Sequence, residues 1–215
     1  MKEKIKPIGY YNYTVYLTYV GMLIGFTGIM LTTKHEYKWA LICLMIAGVC
    51  DLFDGTVAST KKDRTRDERT FGIQIDSLSD LICFGVLPAA LIFEMAPRLD
   101  FTFIAPCVFI LCGLIRLAYF NVDEANRQAT TNERRSYYLG LPITTSALVV
   151  PAVFEVCAYL NKQDCLYYVG VISLLITGIC YITPFHLKKP KLLGEILIVL
   201  FGAVEFSILI AGVNF

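Results

Sequence analysis

The chain has 215 residues, of which 56% are hydrophobic and only 17% are charged. This composition excludes an ordinary soluble domain and predicts a protein that lies in a lipid bilayer. The formal net charge is +1 and no basic stretch is interleaved with aromatic residues, which argues against nucleic-acid binding. The eight cysteines form no CxxC pair, so neither a zinc site nor a disulfide framework is indicated.

Seven apolar segments follow one another along the chain, each about as long as the roughly 20 residues that cross a bilayer. They cover residues 10–31, 38–60, 72–96, 101–121, 141–160, 165–184 and 192–213. The sequence therefore predicts an all-α integral membrane protein with about seven transmembrane helices. We expect residues 1–215 to form a single membrane-embedded domain.

The basic residues between these segments predict the orientation, because Lys and Arg concentrate in cytoplasmic loops. With the N-terminus inside, fourteen basic residues lie on the inner side: Lys2, Lys4, Lys6, Lys61, Lys62, Arg64, Arg66, Arg69, Arg127, Arg134, Arg135, Lys188, Lys189 and Lys191. Four lie on the outer side: Lys34, Lys38, Arg98 and Lys162. Since the number of segments is odd, the C-terminus is expected outside.

Four aspartates occur in the second and third segments, near the ends that meet the inner side. Asp51 and Asp54 are three residues apart, and Asp76 and Asp80 are four apart. On a helix, each spacing places the pair on one face. Because consecutive segments run antiparallel, we expect the two faces to meet. Carboxylates inside a membrane are costly, so such a group indicates a function.

Oxygen ligands of this kind favour Mg²⁺, Mn²⁺ or Ca²⁺ over zinc or copper. Two such ions can bridge phosphoryl oxygens, and a carboxylate left partly free can accept the proton of a nucleophile. Gly55 and Gly72 would let a diphosphate approach the backbone closely. The structural alternative treats the aspartates as helix caps and the glycines as packing contacts. That alternative is disfavoured because each of two adjacent helices carries a pair of aspartates on a single face.

The same region resembles the signature of the CDP-alcohol phosphotransferase family, DxxDGxxAR followed by GxxxDxxxD. Seven of its eight fixed positions match: Asp51, Asp54, Gly55, Ala58, Gly72, Asp76 and Asp80. Ser59 replaces the family's arginine, and twelve residues separate Ser59 from Gly72, which is more than in the usual pattern. The intervening loop offers replacements for a phosphate-binding cation: Lys61, Lys62, Arg64, Arg66 and Arg69. The alternative is a solvated cytoplasmic turn.

The resemblance implies a core of six membrane helices, usually in a homodimer, with a metal site that opens toward the cytoplasm. It also implies a CDP-linked donor that releases CMP when an alcohol attacks its phosphate. Asp51, Asp54 and Asp76 would be metal ligands. Asp80 would be both a ligand and the general base, with two Mg²⁺ or Mn²⁺ ions per site. The CDP part of the donor would contact Gly55, Ala58, Ser59 and Gly72.

Three further stretches are similar to the phosphatidylserine synthase branch of this family: IDSLSDLICFGVLPA, RLAYFNV and GLPIT. This similarity implies CDP-diacylglycerol as the donor, L-serine as the acceptor, and a bacterial or archaeal plasma membrane. Arg116 would contact the lipid phosphate, the serine carboxylate or an active-site aspartate, and Asn121 would serve the same pocket. The alternatives are a structural ion pair or a snorkelling side chain for Arg116, and a helix cap for Asn121.

Two other functions are compatible with the sequence. The same chemistry could use another acceptor, such as glycerol phosphate or inositol phosphate. An ion-coupled transporter would also carry carboxylates in the membrane, and Glu155 and Glu205, in the fifth and seventh segments, fit that hypothesis. A transporter predicts carboxylates spread over the depth of the membrane, whereas the four aspartates cluster near one side.

Overall fold

The computed structural model describes residues 7–96, 102–130, 137–160, 163–188 and 192–212. Seven helices form within these ranges: α1 (Tyr16–Thr32), α2 (Tyr37–Thr60), α3 (Arg66–Glu94), α4 (Ile104–Thr130), α5 (Ser146–Tyr159), α6 (Gln163–Ile182) and α7 (Leu192–Gly212). Single 3₁₀ turns at Tyr13–Val15 and Ile143–Thr145 lead into α1 and α5. Two short strands, β1 (Tyr137–Leu139) and β2 (His186–Lys188), complete the fold.

The predicted all-α membrane architecture is confirmed. Within the described ranges, five helices are long and apolar enough to cross a membrane, with shorter apolar helices at Ile143–Tyr159 and Ile196–Ala211. All eight cysteines are unpaired. Nine basic residues used in the orientation argument lie outside the described residues: Lys2, Lys4, Lys6, Arg98, Arg134, Arg135, Lys162, Lys189 and Lys191.

The predicted ends of two segments were wrong, because polar residues extend both helices. α3 begins at Arg66 rather than near residue 72, since Thr65 and Glu68 form a capping box: Thr65 Oγ1 accepts from the Glu68 N–H at 3.1 Å, and Glu68 Oε2 accepts from the Thr65 N–H at 2.9 Å. α4 continues to Thr130, and an ion pair between Arg127 and Glu124 at 2.5 Å supports its last turns. The loop between the second and third predicted segments therefore ends at Thr65.

Helix ends that were predicted on one side of the membrane meet in the structure. At one end, Asn12 Nδ2 donates to Glu68 Oε1 at 3.0 Å, and the hydroxyls of Tyr13 and Thr60 lie 3.0 Å apart. At the other end, Lys38 Nζ donates to the carbonyl of Ile210 at 3.3 Å. The end of α7 thus lies beside the start of α2, as an alternating arrangement of seven helices requires.

α1 packs closely against its neighbours because its buried residues are all small: Thr18, Gly21, Gly25, Gly28 and Thr32. A Cβ added at Gly21 would lie 3.1 Å from Cys50 Cβ, and one added at Gly28 would lie 3.0 Å from Cys43 Cβ. Small residues at three- and four-residue spacing let helix backbones approach one another in membranes. This close approach brings Thr18 to the polar part of α2.

The backbone of α3 changes from α-helical to π-helical directly after Asp80, over Leu81–Val86. The Leu87 N–H donates to the carbonyl of Ile82, five residues back. Pro88 has no N–H, which leaves the Phe84 carbonyl without its helical partner, and the Ser146 hydroxyl donates to that oxygen at 2.9 Å. The irregular segment is therefore anchored to the start of α5. Single π turns of this kind often occur at functional sites.

β1 and β2 pair antiparallel, with Tyr137 opposite Lys188 and Leu139 opposite His186. Gly140 follows β1 with φ of +70°, and its N–H donates to the Phe185 carbonyl at 2.8 Å. A Cβ at Gly140 would lie 2.9 Å from the Tyr181 carbonyl oxygen. Gly140 is thus required both by its left-handed conformation and by the lack of space.

We expect Gly140→Ala to destabilise the fold by about 1–3 kcal/mol, because it combines left-handed strain with a backbone clash. Thermal unfolding of the detergent-solubilised protein checks this expectation. Gly55→Ala is the control, since a Cβ there meets nothing within 4 Å. Equal unfolding temperatures for the wild type and Gly140→Ala would show that the turn is not held as described.

Candidate active site

The two predicted aspartate faces meet where α2 and α3 leave the membrane core toward their connecting turn. Carboxylate oxygens of Asp51, Asp76 and Asp80 all lie within 4.8 Å of one another. The carboxyl groups of Asp51 and Asp80 lie within hydrogen-bonding reach of each other. An i,i+4 pair on one helix and a partner on the next thus converge as the spacing predicts.

Asp54 joins this group from one turn farther along α2. Its carboxyl lies within hydrogen-bonding reach of Asp76, and its Oδ2 accepts from Thr18 Oγ1 of α1 at 2.9 Å. Asp54 is 9% exposed and Thr18 is 7% exposed, so their bond is shielded from water. We call Asp51, Asp54, Asp76 and Asp80 the aspartate cluster. Sequence reasoning missed Thr18, although a hydroxyl among the small buried residues of α1 is a signal that could have identified it.

The donor set of the aspartate cluster fits a divalent cation. Asp76 Oδ1 is buried and has no hydrogen-bond partner among the described residues. Among the described residues, no ion pair is found to an aspartate of the cluster. Several carboxylates at this separation repel one another strongly in a medium of low dielectric constant. Hard cations such as Mg²⁺ or Mn²⁺ prefer oxygen ligands of this type.

A small cavity opens beside the aspartate cluster, between α1, α2 and α3. It is lined by Thr18, Gly21, Ala47, Cys50, Asp51, Asp54, Ser79, Asp80, Cys83 and Phe84. The cavity is therefore polar on the side of the carboxylates and apolar toward the membrane core. Asp51, Asp54 and Asp80 all border it.

The signature positions on α2 differ in what surrounds them. Gly55 is exposed, and a Cβ added there would meet nothing within 4 Å, so the space beside it is open. Ala58 is half-buried. Ser59 is exposed, and its hydroxyl donates to the Thr56 carbonyl of its own helix at 2.7 Å. Ser59 therefore supplies neither the charge nor the reach of an arginine.

The space beside Gly72 is not open as expected, because the guanidinium of Arg64 occupies it. Arg64 Nη2 lies 2.5 Å from the position that a Gly72 Cβ would take, and it donates to the Glu68 carbonyl at 3.2 Å. Lys61 instead pairs with the Glu68 carboxylate at 2.9 Å, and this hydrogen bond raises the pKa of Lys61. The other cations of the loop, Lys62, Arg66 and Arg69, are exposed.

Arg116 and Asn121 lie on α4 and make different contacts. Arg116 is 8% exposed and donates from Nη1 to the Leu139 carbonyl at 2.7 Å, which joins α4 to β1. Asn121 Oδ1 accepts from Ser77 Oγ at 2.9 Å, next to Asp76 in the chain. The structure thus brings Asn121 to α3 beside the aspartate cluster, and it gives Arg116 a structural contact with the strand.

Glu155 and Glu205 are buried on α5 and α7, with exposed fractions of 7% and 3%. Glu155 Oε1 and both carboxyl oxygens of Glu205 have no hydrogen-bond partner among the described residues. The two glutamates lie within electrostatic range of each other. They form no part of the metal-ligand group in the described part of the chain, which comprises Asp51, Asp76 and Asp80.

The family model described as CDP-alcohol phosphatidyltransferase matches residues 11–183, which include the whole aspartate cluster and helices α1 to α6. The chain belongs to this family. The resemblance drawn from the signature residues is therefore confirmed.

Individual relatives carry more specific names. The CDP-diacylglycerol–serine O-phosphatidyltransferase of Saccharomyces cerevisiae is 38% identical over 145 residues, which is 61% of this chain and 51% of that protein. The archaetidylserine synthase of Methanothermobacter thermautotrophicus is 33% identical over 160 residues, covering 73% of this chain and 64% of the relative. The CDP-diacylglycerol–serine O-phosphatidyltransferase of Methanocaldococcus jannaschii is 30% identical over 195 residues, covering 91% of this chain and 83% of the relative. The chain spans about half the length of the yeast relative.

Proposed function

We propose that this chain transfers the phosphatidyl group of CDP-diacylglycerol to the hydroxyl of L-serine, giving phosphatidylserine and CMP. The observation that carries this proposal is the aspartate cluster, built from two helices of a membrane protein of this family. The names of relatives from yeast and two archaea all specify a serine product or acceptor. Relatives that differ in lipid thus share serine, which supports serine as the acceptor here.

The reaction requires a divalent metal on this proposal, held by Asp51, Asp54, Asp76 and Asp80. Mg²⁺ or Mn²⁺ would fit, with two ions per site, and Ca²⁺ has the same preference for oxygen ligands. The bound metal would supply charge neutralisation for the donor's diphosphate and for the departing CMP. The protein itself positions the carboxylates: Asp54 is oriented by Thr18, and α3 places Asp76 and Asp80 four residues apart on one face.

Asp80 acts as the general base. The serine oxygen forms a bond to the phosphorus that carries the diacylglycerol, the bond from that phosphorus to the CMP oxygen breaks, and the serine proton passes to the Asp80 carboxylate. A base must lie within hydrogen-bonding reach of the proton that it accepts. Asp80 borders the cavity beside the cluster, which supports its choice. The CDP part of the donor lies along Gly55, Ala58 and Ser59, where the helix face is open beside Gly55.

The active site faces the cytoplasm of a plasma membrane, and the protein functions as a homodimer of a single membrane-embedded domain. The excess of basic residues that the sequence predicts for the inner side, among them those of the α2–α3 turn, supports this orientation. The acyl chains of the donor lie between helices, while its headgroup reaches the aspartates from the membrane surface. Asn121 lies near this headgroup position, since it accepts a hydrogen bond from Ser77, the residue that follows Asp76.

Comparing acceptors tests the proposed function. Purified protein in detergent, supplied with CDP-diacylglycerol and Mg²⁺, should release CMP with L-serine and not with glycerol phosphate or inositol phosphate. Thin-layer or mass analysis of the lipid product should show phosphatidylserine. CMP release that is independent of serine, or faster with either of the other alcohols, would assign a different acceptor.

The transporter alternative depends on Glu155 and Glu205, which carry oxygens without a hydrogen-bond partner among the described residues and are not in the metal-ligand group found there. Membership of a transferase family favours the enzyme. Ion flux into proteoliposomes that survives Asp80→Asn, with no CMP release by the wild type, would favour transport instead.

We expect Thr18→Val to raise the Mg²⁺ concentration for half-maximal CMP release by about 10- to 100-fold, because groups that orient metal ligands contribute that much to metal affinity. Thr27→Val on the same helix is the matched control, since Thr27 is exposed and donates only to the Leu23 carbonyl of its own helix at 2.8 Å. Equal Mg²⁺ dependence of the two variants would show that Asp54 does not need its partner on α1.

A further inference from the structure

This chain departs from its family's signature at position 59, and the departure removes a cation from the neighbourhood of the aspartate cluster. The donor's diphosphate is an anion, and the signature arginine that would approach it is Ser59 here. Ser59 donates to its own helix and carries no charge. A cation that faces the nucleotide must therefore come from elsewhere in the chain.

Arg64 is the basic side chain that is placed to supply this cation. Its guanidinium lies against Gly72, one helical turn before Asp76 on the same face of α3. Arg64 Nη2 donates only to a neutral group, the Glu68 carbonyl. Arg64 Nε is buried and has no hydrogen-bond partner in the part of the chain that the structure describes. An unpartnered donor of a charged group is costly, and an anionic ligand would satisfy it.

The remaining cations of the loop are placed differently. Lys61 is neutralised by the Glu68 carboxylate. Lys62 and Arg66 are exposed, and Arg66 lies in the first turn of α3, away from the face of Gly72 and Asp76. Arg69 shares that face but is exposed. Arg64 is thus the cation of this loop that is partly buried, forms no ion pair with a described carboxylate and lies against the signature residue Gly72.

We propose that Arg64 binds the phosphate oxygens of the cytidine nucleotide and replaces the arginine that is absent at position 59. This inference rests on the proposed function for the identity of the nucleotide donor. Nε and an Nη atom of a guanidinium form a fork that matches two phosphate oxygens. The longer segment between Ser59 and Gly72 brings the cation in from just before the start of α3, rather than from the end of α2.

Gly72 has a particular role in this arrangement. A Cβ at position 72 would lie 2.5 Å from Arg64 Nη2, which is the end of a flexible side chain. Gly72→Ala should therefore displace the guanidinium without disturbing the helix, in which alanine is about 1 kcal/mol more favourable than glycine. In this chain, the signature glycine thus leaves the space that the Arg64 guanidinium occupies.

Steady-state kinetics with Arg64→Ala test the proposal, with Arg66→Ala as the matched control. We expect Arg64→Ala to raise KM for CDP-diacylglycerol by about 10- to 100-fold, the range for loss of a charge-assisted hydrogen bond, while KM for serine and the unfolding temperature stay unchanged. Arg64→Lys should recover only part of the affinity, because lysine lacks the fork. Adding Ser59→Arg to Arg64→Ala should restore KM, and Gly72→Ala should add nothing to the effect of Arg64→Ala.

An unchanged KM for the donor in Arg64→Ala would overturn the proposal, whether or not the unfolding temperature and kcat of that variant are lower. Equilibrium binding of CDP to the detergent-solubilised protein in Mg²⁺, without serine, separates this inference from the proposed reaction. Weaker binding of CDP by Arg64→Ala than by Arg66→Ala supports Arg64 even if the wild type transfers to another alcohol. Equal binding by the two variants refutes Arg64 even if serine is confirmed as the acceptor.

Discussion

Asp80→Asn is expected to lower serine-dependent CMP release by about 10²- to 10⁴-fold, the contribution of a positioned general base. The amide keeps the size of the carboxyl and cannot accept the serine proton. It also removes one charge from a group of oxygens that lie within 4.8 Å of one another. The measurement is kcat at saturating CDP-diacylglycerol, serine and Mg²⁺, so that a weaker metal affinity does not dominate the result.

The control for Asp80→Asn is Asp63→Asn, which makes the same change at an exposed position of the turn between α2 and α3. We expect Asp63→Asn to retain wild-type activity. Asp80→Asn should remain folded, because it relieves repulsion between partly buried carboxylates. A folded Asp80→Asn variant with wild-type kcat would remove Asp80 from the mechanism.

Removal of divalent cations is the second change with a large expected effect. A chelator should abolish CMP release, and excess Mg²⁺ or Mn²⁺ should restore it, because the aspartate cluster has no neutralising side chain in the described part of the chain. Asp76→Asn should then need a much higher cation concentration for half-maximal rate, since Asp76 carries a buried oxygen that has no hydrogen-bond partner in the described part of the chain.

Asp67→Asn serves as the control for Asp76→Asn, because Asp67 is exposed at the start of the same helix. Direct binding of Mn²⁺, followed by its paramagnetic resonance signal, provides a readout besides activity. Full activity in excess chelator, or equal cation dependence of Asp76→Asn and Asp67→Asn, would contradict a metal-dependent reaction at this cluster.

The sequence predicted the helices and the meeting of the aspartate faces, because both follow from local periodicity. Seven apolar segments of membrane length become seven helices. Asp76 and Asp80, four residues apart, must share a face of α3, and an antiparallel neighbour carries Asp51 to them. No contact between distant parts of the chain had to be known beyond the pairing of consecutive helices.

The contacts that sequence reasoning missed join residues far apart in the chain. Thr18 and Asp54 meet because glycines on α1 allow close packing, and no pattern in either helix alone specifies that pair. Asn121 reaches Ser77 through the packing of α4 on α3. Arg116 donates to Leu139 in a strand that hydropathy does not reveal, since each strand has only three residues.

The α2–α3 turn shows how one local interaction changes a site. The capping box of Thr65 and Glu68 starts α3 six residues earlier than its apolar residues indicate. Glu68 also binds Lys61 and Asn12. These contacts shorten the loop and fix the position of Arg64 directly before the N-cap of α3, so its guanidinium lies against Gly72. Composition identified the loop as basic, and only the structure distinguishes Arg64 from its neighbours.

Metal-dependent phosphatidyl transfer at the aspartate cluster is tested by the stoichiometry of the products that the purified protein makes from CDP-diacylglycerol and L-serine. We predict that CMP and phosphatidylserine form in equal amounts, only when serine and a divalent cation are both present, and that neither forms with Asp80→Asn. CMP released without phosphatidylserine, or formation of both products in excess chelator, would contradict the metal-dependent phosphatidyl transfer proposed for the aspartate cluster.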